Sequence, residues 1–430
     1  LNKSALLLVV LAVASLALVA CGGYKAPTTG STPPSKIIER VLASQSVSSA
    51  TAAGGLVIIN GQFDTLGAGG ISAGTSPGLM AMSPQRSVLL AFDLATNKVD
   101  VVNTAKETLT GAIQLPGSTT SIVVPQPGAG YAAVPSAAQN GTSPGAVVAL
   151  NLSSGGITAT ISVPNAQTVV SNPNGTQVLA FSNDSDSLTA IYPALLNTAS
   201  PDTVIVPLCS GCRPVNAVFS SDGSTAYILN CGAECGGTHT SVQILNMTTT
   251  PPTPGASVPV DGATIGVLNG SVLYVVGNSP TNSACTGEAT AATTCGRLDV
   301  VDLNSMTVTG SAVITDGYHN RIDMGNGGQL FIGSMDCTNV GNVNNVAGEV
   351  RGCLTIYNTT NGSVVIPPDN GDVTGLQSFT SRFVEYVAEG GNLRVYDLYT
   401  DALLPPNQYV ETGTIIIPGF ITDVKAIDFF

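Results

Sequence analysis

An apolar strand, a turn carrying Gly or Pro, and a second apolar strand recur along this chain every ~40 to 55 residues, and a period of that length marks a repeat architecture. The unit reads "SPGLMAMSPQRSVLLAFD" at 76–93, "TVVSNPNGTQVLAFSND" at 168–184, "RPVNAVFSSDGSTAYILN" at 213–230, "TIGVLNGSVLYVVGN" at 264–278 and "IDMGNGGQLFIGS" at 322–334. Asn174-Gly175 and Asp222-Gly223 sit between such strands, the pairing that tight hairpin turns favour. A third strand usually follows ("GAVVALNL", "TSVQILNM", "GRLDVVDLN", "GNLRVYDLYT"), then a weaker fourth that ends near Pro or Gly ("ITATISVP", "GASVPVDG", "GSAVITDG").

Four antiparallel strands per repeat make a β-propeller blade. Complete blades are expected at about 77–117, 118–164, 165–212, 213–262, 263–317, 318–371 and 372–419. Three strands at 40–74 lack a fourth, and "ITDVKAIDFF" at 421–430 stands alone; together they make one more blade. The expected fold is therefore all-β, a propeller of eight blades closed by strands from both termini, with seven blades as the runner-up. Closure of this kind removes exposed sheet edges. The segment at 214–230 resembles the YVTN type of propeller repeat, and no Trp is present to make a WD-type signature.

Composition agrees. Gly 48 and Pro 26 of 430 residues, with abundant Val, Ile, Thr, Ser and Asn, suit short strands joined by many turns. Charged residues are only 10% and the net charge is −13. Nucleic acid, which calls for clustered Lys and Arg, is excluded as a partner.

The chain begins Leu1-Asn2-Lys3-Ser4 and then runs apolar from Ala5 to Ala20, broken only by Ser15. That is the pattern of a secretory signal peptide, too short for the ~20 residues of a spanning helix. The ending Leu18-Val19-Ala20-Cys21 resembles a bacterial lipobox, which implies that Cys21 is lipidated and becomes the mature first residue. Gly22 and Gly23 follow with no aspartate, which implies outer-membrane export if the organism has such a membrane. The expected organisation is a leader at 1–20, the lipidated Cys and a Gly/Pro/Ser/Thr-rich tether at 21–36, and the propeller at 37–430. The expected location is the cell envelope, lipid-anchored to the membrane.

Of nine cysteines, eight remain after Cys21, an even number that favours disulfides in an exported protein. Cys285 with Cys295, and Cys337 with Cys353, flank loops between second and third strands and read as local staples. Cys209, Cys212, Cys231 and Cys235 fall at the same end of one hairpin. Their C-x₂-C…C-x₃-C spacing also approximates a zinc site, and local and crossed disulfides are equally compatible with it. All eight lie in loops on one face of the ring, over three consecutive blades. The sector formed by about 231–240, 279–296 and 336–352 is expected to be the contact surface, since loops on a rigid scaffold are where binding resides.

Only two histidines exist. His239 lies in a stapled loop. His319, with Tyr318, Asn320, Arg321 and Asp323, forms the densest polar cluster near an expected channel mouth. These are the candidate ligand-binding residues. No nucleophile triad, zinc-protease motif, phosphate loop or dinucleotide fingerprint appears, and no cofactor is expected. The expected function is a non-enzymatic binding or scaffold propeller that engages a protein or glycan of the envelope. The alternative is a lactonase-like hydrolase, because related propellers include lactonases that hold a metal in the central channel; Asp323 and Asp423 are the channel acids available for one.

Overall fold

The computed structural model describes residues 33–47, 54–139, 143–198, 202–279, 295–337, 351–367, 371–379, 381–403, 405 and 413–428. The expected leader, Cys21, its tether and Cys285 lie outside them, as do the tips of two of the three loops assigned to the contact sector. Among the described residues no helix is long and apolar enough to cross a membrane.

Eight antiparallel sheets form the molecule. Blade 1 comprises Arg40–Ser46, Gly55–Asn60 and Thr65–Ile71, plus Phe420–Ala426 from the far end of the chain as its innermost strand. Blades 2 to 8 follow in order, with inner strands Pro77–Met82, Ser121–Gln126, Ala166–Ser171, Pro214–Phe219, Ile265–Asn269, Tyr318–Met324 and Val373–Phe379. Each inner strand touches the next, and Phe420–Ala426 touches both Val373–Phe379 and Pro77–Met82, so the ring is closed. In blade 8 the outer position is split between two short segments, Ala402–Leu403 and Thr414–Ile415, both paired to Asn392–Asp397.

The near-continuous apolar strands have a simple cause. Successive side chains of a strand point to opposite faces, and both faces of a blade are buried by its neighbours. In blade 2, Leu89 and Ala91 pack into the core shared with blade 1, whereas Leu90 and Phe92 pack into the core shared with blade 3. The same division runs round the molecule, giving one hydrophobic cluster at each junction of neighbouring blades. Outer strands such as Thr108–Gln114 have only Ile113 buried, which explains their weaker apolar pattern. The turns at Asn174-Gly175 and Asp222-Gly223 place each glycine at positive φ, 69° and 71°, where a side chain is strained.

Polar latches join the blades where the cores end. Arg40 is the strongest. Its Nε and Nη2 donate to Asp428 at 2.8 and 3.0 Å, and Nη1 donates to Glu107 at 2.9 Å and to the Thr104 carbonyl at 2.7 Å. One buried guanidinium thus ties the first strand, the last residues and blade 2 together. Between blades 8 and 1, Arg382 forks onto Asp64, with both contacts at 2.7 Å, and Tyr386 donates to the same carboxylate at 2.5 Å.

The inner strand of blade 7 carries most of the polar cluster noted in the sequence. It is a paired strand rather than a connecting loop, and its register with Gln329–Cys337 slips between His319 and Arg321. Such a bulge re-aims the side chains around it. His319 is turned into the interior at 1% exposure, with Nε2 donating to the Thr315 carbonyl at 2.9 Å. Burial lowers its pKa to about 4, against the opposing pull of the Thr315 carbonyl and Asp316.

Two outcomes follow. Arg40→Met strands two carboxylates in partly buried positions and should cost about 3–5 kcal/mol of unfolding free energy, measured by urea denaturation. His319 is neutral in the fold down to about pH 4, while the unfolded chain protonates near its ordinary 6.5. Stability is therefore complete above 6.5 and is lost as pH falls towards 4, by roughly 3 kcal/mol at 1.4 kcal/mol per pKa unit. His319→Gln should flatten that limb, read as urea midpoints at pH 4.5 and pH 7.

Candidate functional site

In each blade the second-to-third-strand loop and the connection to the next blade emerge on one face, here called the upper face. Above blade 5 these segments enclose a cleft of about 440 Å³. One wall is Thr238, His239, Thr240 and Ser241, from the loop after Thr225–Asn230 and the start of the next strand. The opposite wall is Ser257, Pro259 and Asp261, at the end of the outer strand and the connection to blade 6. Cys209 enters from the connection out of blade 4, and Ser279 from blade 6. Hydroxyls dominate this lining, with one imidazole and one carboxylate.

The wall bearing His239 is built from its cysteines. Cys209 pairs with Cys212, and Cys231 with Cys235. The pairing is local, so these four sulfurs are disulfides and not a thiolate zinc set. Gly211, inside the first disulfide loop, accepts the backbone N–H groups of Thr238 and His239 at 2.8 and 3.0 Å. His239 Nδ1 lies 3.1 Å from the Ser210 carbonyl and 2.8 Å from Thr238 Oγ1. A carbonyl can only accept, so a hydrogen bond to Ser210 assigns the proton to Nδ1 and leaves Nε2 as the acceptor of the neutral ring. Imidazole in this tautomer is a general base.

The second disulfide brackets a short 3-10 turn, Gly232–Cys235, that aims Glu234 into blade 6. Glu234 accepts from Thr264 Oγ1 and the Asn278 N–H, both at 2.8 Å, and from Asn278 Nδ2 at 3.0 Å. Asn278 Nδ2 also donates to the Gly317 carbonyl of the next junction at 2.6 Å. Burial raises the Glu234 pKa against these bonds. Across the cleft, Arg297 Nε and Nη2 both meet Asp261 Oδ2 at 2.9 Å. The Asp261 N–H donates to Asp299 at 2.5 Å, and Ser311 Oγ donates to the other Asp299 oxygen. Asp299 is raised, mainly by burial.

The remaining expected site residues are dispersed. Cys337 pairs with Cys353, both buried, as expected for a staple. Cys295 is disulfide-bonded. Tyr318 is 58% exposed. Asn320 Nδ2 donates to Met335 Sδ at 3.2 Å, and Arg321 Nε donates to the Thr374 carbonyl at 2.7 Å. Asp323 accepts the N–H of its own neighbour Met324 and that of Ser378 on the next inner strand, at 2.9 and 2.7 Å. Asp423 repeats the arrangement, taking Val424 N–H and Met80 N–H at 2.8 Å each. These two carboxylates are inter-blade clasps, and among the described residues no three His, Cys, Asp or Glu side chains converge as metal ligands. The channel acids do not fit a metal centre. Sequence reasoning reached His239 and Cys209 but missed Asp261, Arg297 and Glu234; the only sign of Asp261 was its place in "VDG", at the end of a fourth strand.

No protein-family model matches the sequence, and no curated protein does. Solved structures do match in shape. The periplasmic gluconolactonase PpgL of Pseudomonas aeruginosa aligns at 14% identity over 91% of this chain and 99% of its own, with a TM-score of 0.50. A candidate 6-phosphogluconolactonase from Bacteroides fragilis aligns at 12% identity over 94% and 100%, with a TM-score of 0.50. The dihydro-heme d1 dehydrogenase NirN, solved with DHE, aligns at 10% identity over 93% and 78%, with a TM-score of 0.59. At these identities the likeness bears on the fold alone, and this chain's own sheets make that fold an eight-bladed β-propeller. The expectation of a non-enzymatic binding or scaffold module is corrected towards its lactonase-like alternative: these neighbours carry the names of enzymes, and the loop-rich face holds a concave cleft lined by hydroxyls and His239.

Proposed function

We propose that the protein is an exported, lipid-anchored propeller hydrolase that opens a small, neutral, polyhydroxylated lactone in the cleft above blade 5. The carrying observation is the His239 arrangement: Nδ1–H held by the Ser210 carbonyl, and a hydroxyl-rich cleft around the ring. In the reaction, His239 Nε2 takes a proton from water as the water oxygen attacks the lactone carbonyl carbon. The tetrahedral oxyanion draws hydrogen bonds from the hydroxyl donors of the lining. The ring C–O bond then breaks, and the departing alkoxide recovers the proton from Nε2, leaving a hydroxy acid. Thr238, Thr240, Ser241 and Ser257 serve the substrate hydroxyls. Asp261, oriented by Arg297, receives one more.

Charge argues for a neutral substrate over a phosphorylated one. The chain carries Lys+Arg 14 against Asp+Glu 27, and of the cations beside the cleft Arg297 is already engaged by Asp261 and Arg213 by Asp186. A phosphate would enter a negative field with no dedicated counter-charge. The lactonase names of two structural neighbours support the reaction class.

The lipobox-like Leu18-Val19-Ala20-Cys21 supports anchoring at the envelope, in the outer membrane where the organism has one, and the disulfides suit an oxidising compartment. The repeat at 214–230 is read as YVTN-type on the same sequence grounds.

Two measurements test this. Proton release from glucono-lactone should exceed the spontaneous rate with the native protein, and His239→Ala should lower kcat by about 10²-fold or more; an unchanged rate in the variant removes His239 from the chemistry. Cys21→Ser should move the protein from the membrane pellet to the soluble fraction and abolish fatty-acid labelling.

A further inference from the structure

The support beneath His239 is a four-residue covalent ring. Cys209, Ser210, Gly211 and Cys212 are closed by a disulfide, and three of the four bonds that place His239 arise inside that ring: the Ser210 carbonyl to Nδ1, and the Gly211 carbonyl to the N–H groups of residues 238 and 239. Gly211 sits at φ 75°, and a Cβ there would come within 2.3 Å of Thr238 Oγ1, so the loop and the histidine strand are in tight contact. From behind, Asp186 accepts the Gly211 and Arg213 N–H groups at 2.8 and 3.2 Å. The two cysteines are unequal, an inequality shared with Cys231–Cys235: Cys209 is half-buried and lines the cleft, whereas Cys212 is fully buried. The Cys337–Cys353 bridge, by contrast, is buried at both ends.

We propose that Cys209–Cys212 is a reversible thiol–disulfide exchange site that sets the tautomer and position of His239, with a protein or small-molecule dithiol as its reactant. The incoming thiolate attacks Sγ of Cys209, the cysteine that lines the cleft. A bond forms between the two, the Cys209–Cys212 bond breaks, and the electron pair leaves on Cys212 Sγ, which takes a proton. The second thiolate of the reactant then attacks its own sulfur in the mixed disulfide and releases Cys209 as a thiol. Two electrons and two protons pass to the protein, and the reactant ends as its disulfide. Opening so short a ring also gives up little stabilisation, because loop-closure stabilisation grows with loop length. Without the ring the Ser210 carbonyl is no longer held at Nδ1, and the imidazole is free to exchange tautomers. The effect on turnover rests on the hydrolase reading; the effect on the ring does not.

The experiment equilibrates the folded full-length protein against mixtures of reduced and oxidised dithiothreitol. Free thiols are alkylated and mapped by mass spectrometry, and the imidazole nitrogens are followed by ¹⁵N NMR. With two histidines in the chain, buried His319 is the internal reference. The expected result is alkylation of Cys209 and Cys212 at a dithiol ratio at least ~10-fold lower than that for Cys337 and Cys353. The single Nδ1–H pattern of His239 should be lost, with His319 unmoved, and lactone turnover should fall about 10- to 100-fold and recover on reoxidation. Reduction of 209–212 only together with 337–353 overturns the proposal, as does an unchanged His239 pattern once the pair is reduced. If neither redox state opens a lactone, the hydrolase reading falls while the NMR result still decides the exchange site. The double variant Cys209→Ser, Cys212→Ser should show the reduced-state His239 pattern, and the titration of the native protein stands independently of how that variant folds.

Discussion

The pairing of Arg40–Ser46 with Phe420–Ala426 is the contact on which the rest of the ring depends. A blade buries both faces, so each depends on a neighbour at either side, and an open array would leave two apolar sheet faces in water. The register Val41↔Ala426, Ala43↔Val424, Gln45↔Ile421 supplies blade 1 with its innermost strand from the opposite end of the chain. Val41, Ala43, Val424 and Ala426 then sit in the core shared with blade 8, while Leu42 and Ile427 sit in the core shared with blade 2. One antiparallel pairing completes two hydrophobic junctions. Its cost is the entropy of closing a loop nearly as long as the chain, which grows only logarithmically with length. The Arg40 cluster marks the same place in polar terms, since its acceptors, Asp428 and the 104–107 turn of blade 2, come together only in the closed ring.

A closed ring gives the upper face a rigid floor, and that matters for a cleft built from loops. The loop carrying His239 is held from several directions. The Cys209–Cys212 ring fixes it to the connection out of blade 4, and the stapled turn at 232–235 sends Glu234 into blade 6. Gly277 permits the second approach, because a Cβ there would lie 2.8 Å from Glu234 Oε2. Asn278 carries the chain of bonds on to Gly317, at the start of blade 7. Blades 4, 6 and 7 therefore brace a wall that blade 5 carries. Preorganisation of this kind would serve the general-base role proposed for His239.

Much of this architecture was legible in the residues, because a repeat states its own period. The eight-blade count came from a mismatch that only a shared blade resolves: three strands too many at 40–74 and one too many at 421–430. The local staple 337–353 was legible from its flanking strands. What resisted was any property that alternation does not encode. The cluster at 318–323 looked like one site because its polar residues are adjacent, but a bulge at His319/Arg321 breaks the two-residue period and sends neighbours to different surroundings. Asp323 and Asp423 looked like channel ligands because acids are rare on inner strands. Their roles depend on backbone N–H groups 55 and 343 residues away in the chain, which no local pattern reports. Asp261 and Arg297 meet across two strands of one junction, and neither stands out in sequence.

Glu385 shows why the acids of this molecule cannot be read as a set of surface charges. It is fully buried on the second strand of blade 8, next to Asp323, and burial followed by the Asp323 charge holds its pKa well above the carboxylate range. The fold thus keeps its proton more tightly than the unfolded chain does. That contribution is complete below the ordinary carboxylate pKa and declines as pH rises towards the elevated value. Asp100, raised to about 6 by burial and by the Asp93 charge, acts in the same direction. His319 acts in the opposite one, because its neutral form is the one the core accepts. In a chain with net charge −13 the burial of Glu385 favours its neutral form and so limits self-repulsion inside the ring, while Asp323 and Asp423 accept backbone N–H groups from the next blade. The acid that clasps two blades and the acid whose neutral form is favoured beside it are one device at the junction of blades 7 and 8, where the charge of Asp323 is itself a reason for the raised pKa of Glu385.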